Sequence, residues 1–351
     1  MLGGGAGGVV LGPAGVVLLS APLLEAMDLC KRFPLRRSAF DWARGRPAPA
    51  LRAMDGVSLV VRRGETLGVV GESGCGKSTL ARCLVRLHEP DAGAIRLDGQ
   101  DALALTGAAR RAYNRRVQMV FQDPYGSLNP RLRIGDALAE ALTVHQVVVR
   151  PAVPGRVEAL LDLVHLPRDA AGRFPHEFSG GQRQRVGIAR ALAVEPALII
   201  ADEPVSALDV SVQAQIVNLL LELQERLGLA LLFITHDLRL VRHVAHRTAV
   251  MYLGRIVETG PTEALFATPR HPYTRALIEA VPQVAPGARH RGAAVQGELP
   301  SALRPPAGCP FHPRCPIAEP PCATVLPALA PRRAEGKLTW PAACHLAGPP
   351  G

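Results

Sequence analysis

Residues 67–79 read Leu67-Gly-Val-Val-Gly-Glu-Ser-Gly-Cys-Gly-Lys-Ser-Thr79. An apolar run leads into Gly71-x-x-x-x-Gly76-Lys77-Ser78, and the helical pattern Leu80-Ala-Arg-Cys-Leu84 follows at once. Strand, glycine loop and helix in that order make a phosphate cradle, a P-loop. Gly71, Gly74 and Gly76 let backbone N–H groups close around phosphate oxygens, and the helix adds its positive N-terminus. Lys77 reaches the β- and γ-phosphates and Ser78 ligates Mg²⁺, while Ser73, Cys75 and Thr79 fill the other positions that line the nucleotide. The chain has 3 Lys and 37 Arg among its 40 basic residues, yet the position that needs a compact ammonium holds Lys77.

A P-loop alone says only that a nucleotide binds. Further on, Ala197-Leu-Ile-Ile-Ala-Asp202-Glu203 is an apolar strand ending in two acids. That pattern suits one carboxylate on the metal side, Asp202, and a second, Glu203, that takes the proton of the attacking water. Between these segments lies Phe178-Ser179-Gly180-Gly181-Gln182-Arg-Gln-Arg185, running into a helical pattern. Ser179, Gly180, Gly181 and Gln182 at a helix start form a second anion cradle. One nucleotide does not need two cradles in one small domain, so the second serves the nucleotide of another subunit.

With these segments in place the chain resembles the ATP-binding subunits of ABC transporters, over about residues 22–345. The resemblance implies an α/β fold of the P-loop NTPase type: a RecA-like core, an antiparallel β subdomain, an inserted α-helical signature subdomain at roughly residues 123–190, and a Cys/Pro-rich C-terminal tail. It also assigns roles. Gln122 in Val-Phe-Gln-Asp-Pro-Tyr125 matches the glutamine that contacts Mg²⁺ and the attacking water. Ser206-Ala-Leu-Asp209 matches the loop that crosses the dimer interface, and His236 in Ile-Thr-His-Asp237 the switch histidine at the γ-phosphate. Phe33 is the best match to the aromatic that stacks on adenine; Phe40 and Trp42 are the alternatives.

Three further stretches narrow the match. Phe121–Arg131, His271-Pro-Tyr-Thr274 and Gly308-Cys-Pro-Phe-His-Pro-Arg-Cys315 resemble oligopeptide and dipeptide importer ATPases, the second of the two such importers usually carry. Peptides are the implied cargo, with nickel, glutathione and oligosaccharides as alternatives. The implied partners are a second ATPase in a heterodimer, two transmembrane permease subunits and, indirectly, an extracytoplasmic substrate-binding protein. The implied place is peripheral, on the cytoplasmic face of the membrane. Soluble ABC proteins acting on ribosomes carry two P-loops in one chain, and those acting on DNA insert a long coiled coil. Here there is one set of motifs, with about 100 residues between Lys77 and Ser179 and no sustained heptads. A metabolic P-loop kinase would not need the second cradle.

Composition agrees. With 351 residues, 48% of them apolar, the chain can bury a large core, and no charge-free run after Glu25 reaches the roughly 20 residues of a spanning helix. The net charge of +10 comes with few aromatics and no compact basic block, which argues against nucleic acid. Residues 1–24 are uncharged and glycine-rich and lack the basic start of a signal peptide; residues 1–21 read as a disordered leader or over-extended start. The ATPase part spans 22–280. Of 32 prolines, 15 fall within 282–351, so residues 281–351 read as a separate, loop-rich tail.

That tail holds four of the seven cysteines, Cys309, Cys315, Cys322 and Cys344. An ATP-using chain belongs in a reducing compartment, which argues against disulfides. Zinc sites usually include a close Cys pair, and none occurs here. The gaps of five, six and twenty-one residues and the Cys-Pro steps lean toward a four-iron cluster. Zinc, with His312 or His345, and no metal at all are the alternatives; resemblance to peptide-importer tails favours the first.

Overall fold

The structure, a computed structural model, describes residues 21–35, 48–123, 126, 128–281, 297–334 and 337–347. The leader through residue 20 and both alternative adenine aromatics, Phe40 and Trp42, lie outside the described residues.

β1 (Pro22–Pro34) pairs antiparallel with β2 (Ala50–Arg62), where Val57, Leu59 and Val61 are buried and Ser58 and Val60 only half so. That alternation belongs to a sheet covered on one face. β3 (Thr66–Val70) is buried at every position, the mark of a central parallel strand covered on both. The glycine loop follows, then α1 (Lys77–Leu84). β4 (Ala92–Leu97) and β5 (Gln100–Asp101) complete a four-stranded antiparallel sheet of order β2-β1-β4-β5. α2 (Gly107–Arg116) leads into β6 (Val117–Val120). Helices α3 (Ile134–Val144), α4 (Val153–Leu163) and α5 (Gly180–Leu192) follow before β7 (Leu198–Asp202). The chain continues through α6 (Val210–Leu227), β8 (Ala230–Thr235), α7 (Leu238–Val244), β9 (Arg247–Tyr252) and β10 (Arg255–Pro261). α8 (Thr262–Ala267), α9 (Pro272–Glu279), α10 (Pro320–Thr324), β11 (Ala330–Ala334) and β12 (Lys337–Ala342) end it. Among the described residues no helix is long and apolar enough to cross a membrane.

The main sheet has the order β11-β12-β10-β9-β3-β8-β7-β6, parallel from β9 to β6. Its central strands send alternate side chains to two cores. Leu67, Val69, Leu198, Ile200, Leu232 and Ile234 face the antiparallel sheet and α1. Val70, Ile199, Ala201, Leu231 and Phe233 face the other side, where α3, α4, α5 and α6 pack. Register aligns the strand ends: Val70 lies beside Thr235 and Asp202 beside Ile234. Gly71, Glu203 and His236 therefore leave the sheet at one edge, the carboxyl ends of its parallel strands, where open α/β sheets hold their ligands.

The tail is less separate than its proline content suggests. Cys309, Phe311 and Cys322 are buried in the core shared with α3 to α6, and β12 joins the main sheet through Ala342 opposite Glu258. Proline is accommodated because β11, with Pro331, is the outermost strand. The joint is polar as well as apolar: buried Glu258 accepts hydrogen bonds from the Arg270 and His271 amides and from Trp340 Nε1 at 2.8, 2.9 and 2.7 Å.

Candidate nucleotide site

The loop after β3 is shaped by backbone crowding. A Cβ on Gly71 would stand 2.1 Å from the Met251 carbonyl oxygen, and one on Gly76, at φ +109°, 2.1 Å from that of Ala53. Ser73 and Gly74 are exposed at the rim, whereas Cys75 is buried beneath it and Thr79 is half-buried. Burial raises the Cys75 thiol pKa, against the opposing pull of Lys77. Lys77 is only 4% exposed, and its ammonium donates to the carbonyls of Gly71 and Glu72 at 2.8 and 3.0 Å. Gly76 caps α1 without a side-chain hydrogen bond, so the first-turn N–H groups remain available for an anion.

The acids of β7 meet this loop from the side. Ser78 Oγ donates to Asp202 Oδ1 at 3.1 Å, tying α1 to the strand end. Asp202 is 3% exposed, and burial foremost raises its pKa, with Glu203 adding to the rise and the Ser78 hydroxyl opposing it. A cation beside it would restore the ionised form. Glu203 sits at φ +46°, a left-handed conformation that costs a residue with a Cβ on the order of 1 kcal/mol. Its amide donates to the Ile234 carbonyl at 2.9 Å, which holds the turn. The consequence is where the carboxylate points: Glu203 Oε2 lies 3.4 Å from Gln122 Nε2 and 3.2 Å from His236 Nδ1. Gln122, Glu203 and His236 come from three different strand ends and meet at one oxygen. A half-buried carboxylate with an exposed imidazole and amide beside it is a set that can position and deprotonate water beside a phosphate.

Ser179 begins α5 in a reciprocal cap: its hydroxyl accepts from the Gln182 amide at 3.4 Å and Gln182 Oε1 accepts from the Ser179 amide at 3.0 Å. Gly181 has to be glycine, because a Cβ there would lie 2.4 Å from Val212 Cγ1. Gly180 meets Leu208 the same way at 3.0 Å, so the second cradle is braced on the loop Ser206–Asp209. Asp209, exposed, caps α6. Phe33 ends β1 with its ring edge-on to His88 at 5.5 Å and the Lys31 ammonium 5.7 Å from its centre.

The sequence pattern of the ABC transporter family matches residues 54–206, and that of the oligopeptide/dipeptide transporter C-terminal region matches 257–322. A probable peptide ABC transporter ATP-binding protein of Sinorhizobium fredii, y4tS, is 50% identical over 331 residues, 94% of this chain and 92% of its own. The oligopeptide transport ATP-binding protein AppF of Bacillus subtilis is 47% identical over 331 residues, 92% of this chain and 97% of its own. The chain belongs to the ATP-binding subunits of ABC transporters. Among solved structures, cbiO1 of Clostridium perfringens superposes with a TM-score of 0.59 at 26% identity, covering 70% of this chain and 91% of that one. The ATP-binding cassette MJ0796, dimeric and bound to ADP and phosphate, does so with 0.58 at 26%, covering 68% and 98%. Like other members, this ABC subunit is an ATPase.

Several residues of the ABC site were not legible as such in the sequence. Met251 and Ala53 shape the loop through their carbonyls, which any residue type supplies. Tyr273 Oη accepts the Glu72 amide at 2.9 Å, and Arg314 pairs with the Glu72 carboxylate. The signal for the last two was present, in His271-Pro-Tyr-Thr274 and Cys-Pro-Phe-His-Pro-Arg-Cys315, but those stretches served only to narrow the resemblance.

The four tail thiols are gathered, but not as a ligand set. The Cys309 thiol is pushed up to about 11, by burial foremost and with Cys344, Cys322 and Cys315 adding to the rise, against the pull of the Phe311 amide. Cys315 and Cys344 are raised in the same way, by burial first and then by their neighbours. Yet among the described residues no three or more His, Cys, Asp or Glu side chains are placed to hold a metal ion, so the expected four-iron arrangement is not reproduced. His312 and His345, the histidines of the zinc alternative, each use one ring nitrogen on a backbone carbonyl, those of Cys309 and Val325, both at 2.9 Å. Hydrogen bonds and burial, with Cys309 donating its amide to the Cys322 carbonyl at 2.8 Å, shape the segment.

Proposed function

We propose that this ATPase powers a peptide importer, hydrolysing ATP to drive uptake through partner membrane subunits. The observation that carries the chemistry is the meeting of Gln122, Glu203 and His236 beside the glycine loop. The cargo reading rests on relatives whose names state peptide transport and which align along nine-tenths of both chains. In this reading Lys77 and the loop amides beyond Glu72, through Thr79, hold the phosphates, Phe33 stacks on adenine, and Ser78, Gln122 and Asp202 would hold Mg²⁺, which takes few protein ligands beside phosphate and water. Glu203 accepts a proton from water as its oxygen attacks the γ-phosphorus, His236 steadies the γ-phosphate, and ADP and inorganic phosphate leave.

Ser179, Gly180, Gly181, Gln182 and Asp209 face the nucleotide of a second ATPase, a different chain in a heterodimer, so ATP bridges the closed pair. Helices α3 to α5 form the signature subdomain, and the groove beside Gln122 passes closure to two transmembrane permease subunits at the cytoplasmic face, which an extracytoplasmic binding protein supplies. Reconstituted with those partners, the complex should hydrolyse ATP faster when binding protein loaded with peptide is added. Stimulation by nickel, glutathione or an oligosaccharide instead would move the cargo and leave the ATPase reading standing. For the tail, the resemblance of Gly308–Cys315 to peptide-importer tails is the support for a metal-bound state. Metal analysis of anaerobically purified chain separates the cases: about four irons per chain, stoichiometric zinc, or neither, which would leave the tail a bare docking element.

A further inference from the structure

We infer that the C-terminal tail is a clamp on the glycine loop, with Arg314 as a positioning residue for ATP. The inference rests on ATP binding at that loop and is independent of the cargo.

Glu72 is the first residue inside the loop, and its carbonyl is one of the two that hold the Lys77 ammonium. Three contacts immobilise it, two of them from beyond β10. Arg314 donates two parallel hydrogen bonds to its carboxylate, Nη1 to Oε2 at 2.7 Å and Nη2 to Oε1 at 3.0 Å. Tyr273 Oη accepts its amide at 2.9 Å. The Arg314 side chain is 5% exposed and that of Glu72 28%, so this is a forked pair largely shielded from solvent and not a surface bridge. Its guanidinium also reaches Tyr252 Oη at 3.4 Å and lies 5.9 Å from that ring.

An aromatic cluster seats the clamp. Phe311, fully buried, packs against Tyr252 and Tyr273 with ring centres 5.4 Å away in each case, and Tyr252 and Tyr273 meet at 4.6 Å. His271 fixes Tyr273 from behind, its Nδ1 accepting the Tyr273 amide at 3.0 Å. The two stretches that bring these groups, 271–274 and 308–315, thus converge on one loop residue. Arg314 stands in the short turn between Cys309 and Cys315, so whatever orders that turn also orders the guanidinium.

The clamp matters because a glycine-rich loop otherwise pays ordering entropy when phosphate binds. Holding Glu72 by side chain and amide keeps the loop near its binding shape and keeps the Lys77 ammonium at its mouth. Glu203 and Gln122, the groups assigned to the attacking water, follow the ends of β7 and β6, whereas the tail contacts described here act on Glu72, so the effect falls on ATP binding and not on the chemical step.

The test is Mg-ATP binding to the full-length chain, with steady-state hydrolysis in the assembled transporter, for Arg314→Met, Glu72→Gln, the double variant, Arg314→Lys and Tyr273→Phe. Arg314→Met should raise Kd and KM for ATP about five- to tenfold, with kcat within about twofold, the split expected for lost uniform binding. The double variant should be no worse than the worse single one, because both remove one interaction. Arg314→Lys, which keeps charge but not the fork, should recover part of the loss. Tyr273→Phe removes one hydroxyl and keeps the ring, so it reports on the clamp even where Arg314→Met folds poorly. Wild-type ATP affinity in folded Arg314→Met and Tyr273→Phe, or effects that multiply in the double variant, would overturn the inference.

Discussion

Glu203→Gln isolates the chemical step. The side chains are nearly the same shape, and the site needs no rebuilding to accept the amide: Glu203 is 12% exposed, and its backbone turn is held by the amide bond to Ile234, which the substitution leaves alone. One orientation of the new carboxamide keeps an oxygen toward Gln122 Nε2 and His236 Nδ1, so both contacts survive. What disappears is the base. A carboxamide cannot take the proton that the attacking water must lose, and removing a positioned general base costs on the order of 10²-fold or more in turnover, about 3 kcal/mol in the barrier. ATP affinity should stay within about twofold, because Lys77 and the loop amides are untouched. Single-turnover hydrolysis with radiolabelled ATP, alongside equilibrium binding, separates the two quantities. The variant should also accumulate in an ATP-bound pair with the second ATPase, visible as an earlier-eluting species on size exclusion. Turnover within threefold of the wild type would show that another group accepts the proton and would remove Glu203 from that role.

Ser179→Arg should leave the isolated chain's ATP affinity nearly unchanged and abolish ATP-dependent pairing, measured by light scattering; equal loss of binding in Ser179 and Lys77 variants would refute the shared-site reading. Gly71→Ala would place a Cβ 2.1 Å from the Met251 carbonyl oxygen, so the loop must shift, and ATP binding should fall about tenfold or more; unchanged binding by calorimetry would contradict that packing. His271 is wholly buried, and burial holds its pKa down to about 3, against an opposing backbone contact at Ala343. The unfolded chain takes up a proton near pH 6.5 that the folded chain refuses, so this residue's share of stability is intact above that pH and is lost progressively as pH falls toward 3. Urea melts between pH 7 and 4 should show that slope in the wild type and a shallower one in His271→Asn.

Much of this site can be read from the chain itself because its chemistry is local. The glycine loop from Gly71 to Ser78, the Asp202–Glu203 pair at a strand end and the Ser179–Gln182 cap are contiguous stretches whose backbone conformations follow from their own residues. The central strands are local in the same sense, since Leu198 to Ala201 and Ala230 to Ile234 are unbroken apolar runs, buried throughout. Only the tertiary structure decided how these stretches meet. Gln122 and His236 reach one oxygen of Glu203 from positions 81 and 33 residues away, a result of strand register that no local pattern encodes. The seat of the tail is set in the same way. Its prolines describe the local backbone, whereas its place depends on Phe311 finding Tyr252 and Tyr273 and on Arg314 finding Glu72 across 242 residues of chain. Ion pairs and aromatic contacts at such separations carry no periodicity, because the folding of everything between them sets the distance.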